Sequence, residues 1–126
     1  MTRAYLAFTE KGLALAQKLA SALPGTVARC GHGGPGLADW AAEQFAHADA
    51  LIFVGAVGIA VRAIAPHCRS KAVDPAVVVL DECGHFAVPI LSGHLGGAND
   101  LARALAAVCG AVPVITTATD ANGQTA

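Results

Sequence analysis

The chain has 126 residues, of which 55% are hydrophobic and 13% charged, and its formal net charge is −1. This length suits one domain, and the eight basic residues are scattered singly, which argues against nucleic acid as a partner. The longest apolar run, 50–61, contains two glycines and is too short to span a bilayer. The N-terminus has no signal-peptide pattern. We therefore expect a cytoplasmic protein with no membrane contact.

Strand-like and helix-like stretches alternate along the sequence. In chain order, the predicted elements are a strand at 4–8, a helix from the N-cap Thr9 to Pro24, a strand at 26–29, a helix near 37–46, a strand at 50–54, a short helix at 56–65, strands at 76–80 and 86–91, a helix at about 97–109 and a strand at 112–116. The turn at Cys83-Gly84 predicts that the strands on either side of it form a hairpin. The alternation predicts one α/β domain over 1–126, a three-layer sandwich with a mostly parallel, Rossmann-like sheet plus that hairpin.

The four cysteines contain no CxxC pair, which argues against a zinc site or a redox dithiol. We expect reduced thiols and no metal bound by the protein. No two histidines have the spacing of a helical metal site, and no carboxylate supplements them.

The loop 92–97 is the most informative segment, because it contains Gly93, Gly96 and Gly97 between a predicted strand and a predicted helix. Glycines allow a close backbone approach, and a helix N-terminus attracts an anion. Since ligands of parallel sheets gather at the carboxyl ends of the strands, we expect this loop to form a cleft there with the loop 55–58 and the strand end at 116–120. The alternative is that the glycines serve only a tight turn.

From residue 50 onward the sequence resembles the N-terminal region of the CbiG family of cobalamin-biosynthesis proteins. The resemblance lies in VGAVGIAVRAIAP at 54–66, DPAVVVLD at 74–81, LSGHLGGAN at 91–99 and PVITTATD at 113–120. It implies a cobalt-precorrin-5A hydrolase, which opens a δ-lactone on a cobalt-bearing macrocycle and releases acetaldehyde. It implies no organic cofactor, because cobalt arrives as part of the substrate and both steps proceed by attack of water. Full-length family members carry a C-terminal domain that this sequence lacks, which implies that domain as a partner.

Lactone opening needs an activated water or nucleophile and a group that holds the developing oxyanion. His94 is the predicted general base, with fixing of the loop as its alternative role. Ser92 is the candidate nucleophile, with substrate binding or turn capping as the alternative. The main-chain N–H groups of Gly96, Gly97 and Ala98 are the predicted anion donors.

Other residues are predicted to contact the substrate. Arg62 suits a peripheral carboxylate of the tetrapyrrole, unless it forms an ion pair with Asp81 or Glu82. The further predicted contacts are Gly55, Gly58, Gly93, Gly96, Gly97, Asn99, Thr116, Thr117 and Thr119. Turn formation is the alternative for the threonines.

Two other functions fit the sequence. One is a non-catalytic tetrapyrrole-binding half-site that depends on the missing C-terminal domain. The other is an unrelated anion- or nucleotide-binding module. The absence of both G-x-x-x-x-G-K-[ST] and G-x-G-x-x-G after a strand counts against nucleotides.

Overall fold

A computed structural model describes residues 1–118 as a six-stranded sheet with helices on both faces. Its elements are β1 (Arg3–Ala7), α1 (Glu10–Ala22), β2 (Thr26–Arg29), α2 (Leu37–His47), β3 (Ala50–Val54), α3 (Val57–Ile64) with a 3₁₀ turn at Ala65–His67, β4 (Ala76–Leu80), β5 (Phe86–Leu91), α4 (Ala98–Cys109) and β6 (Val112–Pro113). The predicted three-layer α/β sandwich with a mostly parallel sheet and a hairpin is confirmed.

The direction of the strands decides where each loop lies. The strand order is β2-β1-β3-β4-β5-β6, and β1 to β4 are parallel. Strand β5 runs antiparallel to β4 and pairs Leu91 with Val77 and Ala87 with Leu80, and β6 is parallel to β5. Strands β5 and β6 therefore end at the edge of the sheet where β1, β3 and β4 begin. We call this the amino edge, and the opposite edge the carboxyl edge.

The core fills both faces of the sheet. On one face, Tyr5, Ile52 and Val78 pack against α1 and α4. On the other face, strand residues such as Phe53 pack against α2 and α3, where the Trp40 ring meets Phe53 edge-on at 5.3 Å. Every residue of β3 and β4 is buried, as expected for central strands covered on both sides.

Local sequence signals account for several element boundaries. Thr9 Oγ1 accepts a hydrogen bond from the Gly12 N–H at 3.0 Å, which confirms the predicted N-cap. Gly110 ends α4 with φ +77°, a left-handed conformation that glycine adopts without penalty. Strand β6 is shorter than the predicted 112–116: the Val112 and Val114 N–H groups donate to the His85 and Ala87 carbonyls, and the pairing with β5 extends no further at this edge of the sheet.

The four cysteines are free thiols. Burial, and secondarily the negative charge of Asp74, raises the pKa of the Cys68 thiol. Within 1–118, no group of three or more His, Cys, Asp or Glu side chains is arranged to hold a metal ion. None of the helices in this part of the chain is long and apolar enough to cross a membrane.

Candidate functional site

The glycine-rich loop 92–97 lies at the amino edge, because β5 runs against β4. The loop 55–58 follows the parallel strand β3 and lies at the carboxyl edge. The expectation that these two loops share one cleft is therefore wrong. The reversal of the last two strands of the sheet is the physical reason.

The segment after β6 does join the glycine-rich loop, since β6 is parallel to β5. The Asn99 Nδ2 donates to Thr117 Oγ1 at 2.9 Å. A Cβ placed on Gly93 would lie 3.2 Å from Thr117 Cγ2. Thr116 is exposed at the same edge, and Thr119 lies outside the described residues. The predicted proximity of this strand end to the loop is thus confirmed for Thr117.

Ser92 anchors the loop to the segment that precedes β4. It is buried, with 8% of its surface exposed, and its Oγ donates to the Asp74 carbonyl at 3.0 Å. Its backbone has φ +56°, an uncommon conformation for a residue other than glycine. The acceptor of the hydroxyl proton is a main-chain carbonyl rather than a basic side chain, so the geometry is that of an anchor and not of an activated nucleophile.

Each loop glycine answers a local steric need. A Cβ on Gly93 would lie 2.7 Å from Asn99 Oδ1, and one on Gly96 would lie 2.5 Å from Ser92 Cβ. Gly97 has φ +82° at the N-cap of α4. The number of glycines therefore follows from how the loop packs on itself, and it is not in itself evidence for a ligand.

Two of the three N–H groups predicted to bind an anion already have partners. The Gly97 N–H donates to the His94 carbonyl at 3.4 Å, and the Ala98 N–H donates to the Ser92 carbonyl at 3.1 Å. An incoming oxyanion would have to displace these bonds. The ligand-binding roles of these glycines stay predictions.

His94 is placed to meet a ligand. It is exposed in the middle of the loop, and no hydrogen bond or ion pair joins its ring to another residue in 1–118. A ring held by neighbours would have indicated a purely structural role. Its predicted function as a base stays a prediction.

A groove runs along the amino edge beside this loop, which we call the edge groove. It consists of two adjoining cavities of about 400 Å³ and about 440 Å³. Gly96 and Asp49 line the larger one, and Pro66, His67 and Arg69 line the other. The residues common to both are Phe45, Ala46, Val73, Asp74 and Pro75. Cavities of this size hold small organic molecules or one side of a larger one.

Asp74 lies at the junction of the two cavities, and no role for it was predicted from the sequence. Only 8% of its surface is exposed, and both carboxylate oxygens lie 3.0 Å from the Arg69 main-chain nitrogen. Its own carbonyl receives the Ser92 hydroxyl. The predicted hairpin already implied that Ser92 lies close to Asp74, because the end of β5 must return to the start of β4.

Arg62 forms no ion pair with Asp81 or Glu82, which was the alternative to substrate binding. The Asp81 carboxylate instead accepts the main-chain N–H of Phe86 at 2.8 Å, and Glu82 Oε2 lies 3.3 Å from Thr9 Oγ1. Arg62 is exposed on α3, four residues before Pro66 of the edge groove. Its side chain is therefore available to a ligand.

The other two glycines predicted to bind substrate lie at the carboxyl edge. A Cβ on Gly55 would lie 2.8 Å from Phe8 Cδ2, so packing accounts for this glycine. Gly58 faces open space. Their contribution to substrate binding stays a prediction, and it would require a ligand contact at the edge opposite the groove.

Fold and groove together define a class: a three-layer α/β domain with a groove of ligand size, lined by both polar and apolar residues, at one edge of its sheet. Residues 39–120 match the family model Cobalamin synthesis G N-terminal (CbiG_N), and the chain belongs to that family. The resemblance predicted from four short segments is thus confirmed.

Relatives of known name agree with this assignment. The chain is 48% identical to cobalt-precorrin-5A hydrolase of Salmonella typhimurium over 98% of its length, and 53% identical to the Priestia megaterium protein of that name over 56% of its length. It superposes with a TM-score of 0.76 on the crystal structure of a cobalamin biosynthesis protein G homologue from Sulfolobus solfataricus, with 27% identity over 91% of this chain and 36% of that one. The chain covers 37% of the Salmonella protein and 19% of the Priestia protein.

Proposed function

We propose that the chain contributes the substrate-binding groove and the lactone-opening site of a cobalt-precorrin-5A hydrolase in cobalamin biosynthesis. The observation that carries this proposal is the convergence of the four segments that resemble the family. Pro66, Asp74, Gly96 and Thr117, one from each segment, all lie at the amino edge. Pro66, Asp74 and Gly96 line the edge groove and Thr117 lies beside Gly93 at the same edge, as expected where distant segments build one binding site.

The substrate in this proposal is a large ring with carboxylate arms, and the edge groove takes one side of it. Apolar walls from Phe45, Val73 and Pro75 would face the ring. Arg62, outside the groove, would bind a carboxylate arm. Asn99 and Thr117 offer polar groups beside the loop. The cobalt belongs to the substrate and needs no ligand from the chain.

The reaction has two proton transfers at the lactone: one away from the attacking water, and one to the ring oxygen that departs. His94 is the proton-transfer residue of the loop, since an imidazole can both accept and donate a proton and its ring is exposed in the loop whose Gly96 lines the groove. Ser92 holds the loop in place through the Asp74 carbonyl. Acetaldehyde then leaves as the second product: the carbon that bears the freed hydroxyl becomes its carbonyl carbon as the carbon–carbon bond to the macrocycle breaks, the hydroxyl loses its proton to the solvent, and the macrocycle takes up a proton in its place. We further propose a cytoplasmic location, because the named relatives are biosynthetic enzymes.

A second candidate function is a half-site that binds the tetrapyrrole without catalysing the reaction. The observation that favours it is the coverage of only 37% of the Salmonella relative. In that case the partner is the remaining portion of such a protein, and the catalytic groups lie there.

The test is acetaldehyde release from cobalt-precorrin-5A, measured for the chain alone and for the chain mixed with the remaining portion of the Salmonella relative. Release by the chain alone supports the hydrolase proposal, and release only from the mixture supports the half-site. Substrate binding without acetaldehyde release from either sample would indicate a binding protein that does not take part in catalysis. The absence of substrate binding would refute both candidate functions.

The variant His94→Asn reports on the proton transfer. We expect it to lower kcat by roughly 10²- to 10⁴-fold, the usual contribution of a general acid–base group. His32→Asn is the matched control, since His32 is exposed in the carboxyl-edge loop and its φ of +50° is one that asparagine tolerates. Equal turnover of the two variants would remove His94 from the mechanism.

A further inference from the structure

Asp74 is the buried charged side chain among residues 1–118, where the other two buried polar residues are Ser92 and Asn99. Burying a carboxylate is unfavourable unless hydrogen bonds or opposite charges compensate. Its one hydrogen-bond donor is the Arg69 main-chain N–H, shared between the two oxygens. None of the ion pairs in this part of the chain includes it. Within the described residues, the Asp74 carboxylate thus accepts one N–H, fewer donors than its two oxygens can engage.

A purely structural role, in which the Asp74 carboxylate holds the turn that begins at Arg69, would explain the contact with the Arg69 N–H. It would not explain why Asp74 lies in the edge groove. An ionised carboxylate has about four lone-pair positions, and one N–H engages only part of them. Asp74 lines both cavities of the edge groove, so water or a ligand in the groove can supply the missing donors. Through its carbonyl it also fixes Ser92, two residues before His94. This hydrogen bond therefore joins the residue that lines both cavities to the loop that carries the exposed imidazole.

We propose that Asp74 is a catalytic residue of the lactone opening, namely the base that takes the proton from the attacking water. The inference rests on the proposed function. As the water oxygen bonds to the acyl carbon, one water proton passes to the Asp74 carboxylate. The ring C–O bond then breaks, and the departing oxygen takes a proton from the His94 imidazolium. The products are a carboxylic acid and a hydroxyl group, and Asp74 then returns its proton to His94 through the solvent.

The test compares Asp74→Asn with Asp39→Asn, an exposed position on α2 outside the groove. Asparagine keeps the shape, an acceptor for the Arg69 N–H and the carbonyl that binds Ser92, but it lacks the negative charge. We expect Asp74→Asn to lower kcat at least about 100-fold with KM changed less than about threefold, and Asp39→Asn to match the wild type. Urea unfolding of both variants shows whether they remain folded.

A second variant separates catalysis from a structural role. Asp74→Ala removes the carboxylate and leaves space in a groove of about 400 Å³, so added formate is expected to restore part of the lost kcat. A purely structural aspartate would show no rescue. If the wild type turns over substrate and Asp74→Asn does so with an undiminished kcat, the proposed role of Asp74 is refuted and the proposed function is not. Absence of turnover by the wild type, with or without the remaining portion of the Salmonella relative, would overturn the proposed function and this inference with it.

Discussion

The hydroxyl of Ser92 offers a quantitative test of the anchoring role. Its Oγ donates to the Asp74 carbonyl at 3.0 Å in a buried position. Ser92→Ala leaves that carbonyl without this donor, which costs about 1–3 kcal/mol in a buried setting. Ser21 makes a bond of the same length to the Gln17 carbonyl on the exposed surface of α1. There water replaces the hydroxyl, so Ser21→Ala should change the free energy of unfolding by less than about 0.5 kcal/mol.

A glycine at position 92 separates the hydrogen bond from the backbone conformation. Ser92 has φ +56°, and such a left-handed conformation costs a residue with a Cβ roughly 1–2 kcal/mol. Glycine removes that cost, but its greater freedom in the unfolded chain offsets about 0.5–1 kcal/mol of the gain. Ser92→Gly should therefore be more stable than Ser92→Ala, by up to about 1.5 kcal/mol.

The assay is urea unfolding of the three variants with linear extrapolation and a common slope. Equal free energies of unfolding for Ser92→Ala and Ser21→Ala would refute the reasoning, because burial would then make no difference. Turnover provides a second reading of the same variants. If Ser92 only anchors the loop, Ser92→Ala should release acetaldehyde at a reduced but measurable rate. If Ser92 is the nucleophile, the variant should release none.

The close packing of the loop and the buried tyrosine give further tests. In Gly96→Ala the new Cβ would lie 2.5 Å from Ser92 Cβ, and overpacking of this kind costs about 1–3 kcal/mol. Gly36→Ala meets open space and is the control; equal melting temperatures would contradict the loop geometry. Burial raises the pKa of Tyr5 above the ordinary 10.0, and its hydroxyl donates to the Leu23 carbonyl at 2.5 Å. Because the folded chain holds this proton more tightly, stability should be constant up to the unfolded pKa and fall as the pH rises through the folded one. Tyr5 is the single tyrosine, so phenolate absorbance reads it directly, and equal pKa values in the folded and urea-unfolded chain would contradict the prediction.

Sequence patterns predicted the elements well because each depends on local chemistry. The N-cap at Thr9, the strand Ala50–Val54 and the hairpin around Gly84 all follow from neighbouring residues. Strand β6 was predicted too long, because an apolar run does not reveal how many residues find a pairing partner at the sheet edge.

The error in the site arose from strand direction. The predicted hairpin required β5 to run against β4, and hence placed Ser92 where β4 begins. The rule that ligands gather at carboxyl ends applies to parallel strands, and it was extended to a strand that is not parallel. No role was predicted for Asp74 for the same reason, since its contact with Ser92 exists only because β5 runs back to the start of β4.

The loop glycines illustrate what a single sequence does not contain. Three glycines were interpreted as a ligand cradle, whereas the structure pairs Gly93 with Asn99 and Gly96 with Ser92 at distances that exclude a Cβ. Those partners lie six and four residues away, respectively, in a turn whose path depends on φ values of +56° at Ser92 and +82° at Gly97. Composition alone does not distinguish such self-packing from a cradle.

The most direct test of the central claim, that the substrate occupies the edge groove, is the affinity of the chain for cobalt-precorrin-5A after the groove is blocked. Ala46 is exposed on α2 and lines both cavities, so Ala46→Trp fills the groove without disturbing the core. Ala38→Trp places the same ring at an exposed position of α2 outside the groove. Binding by the wild type and Ala38→Trp, with an affinity at least about tenfold weaker for Ala46→Trp, or about 1.4 kcal/mol, is the predicted result. Equal affinities for the two tryptophan variants would contradict the account.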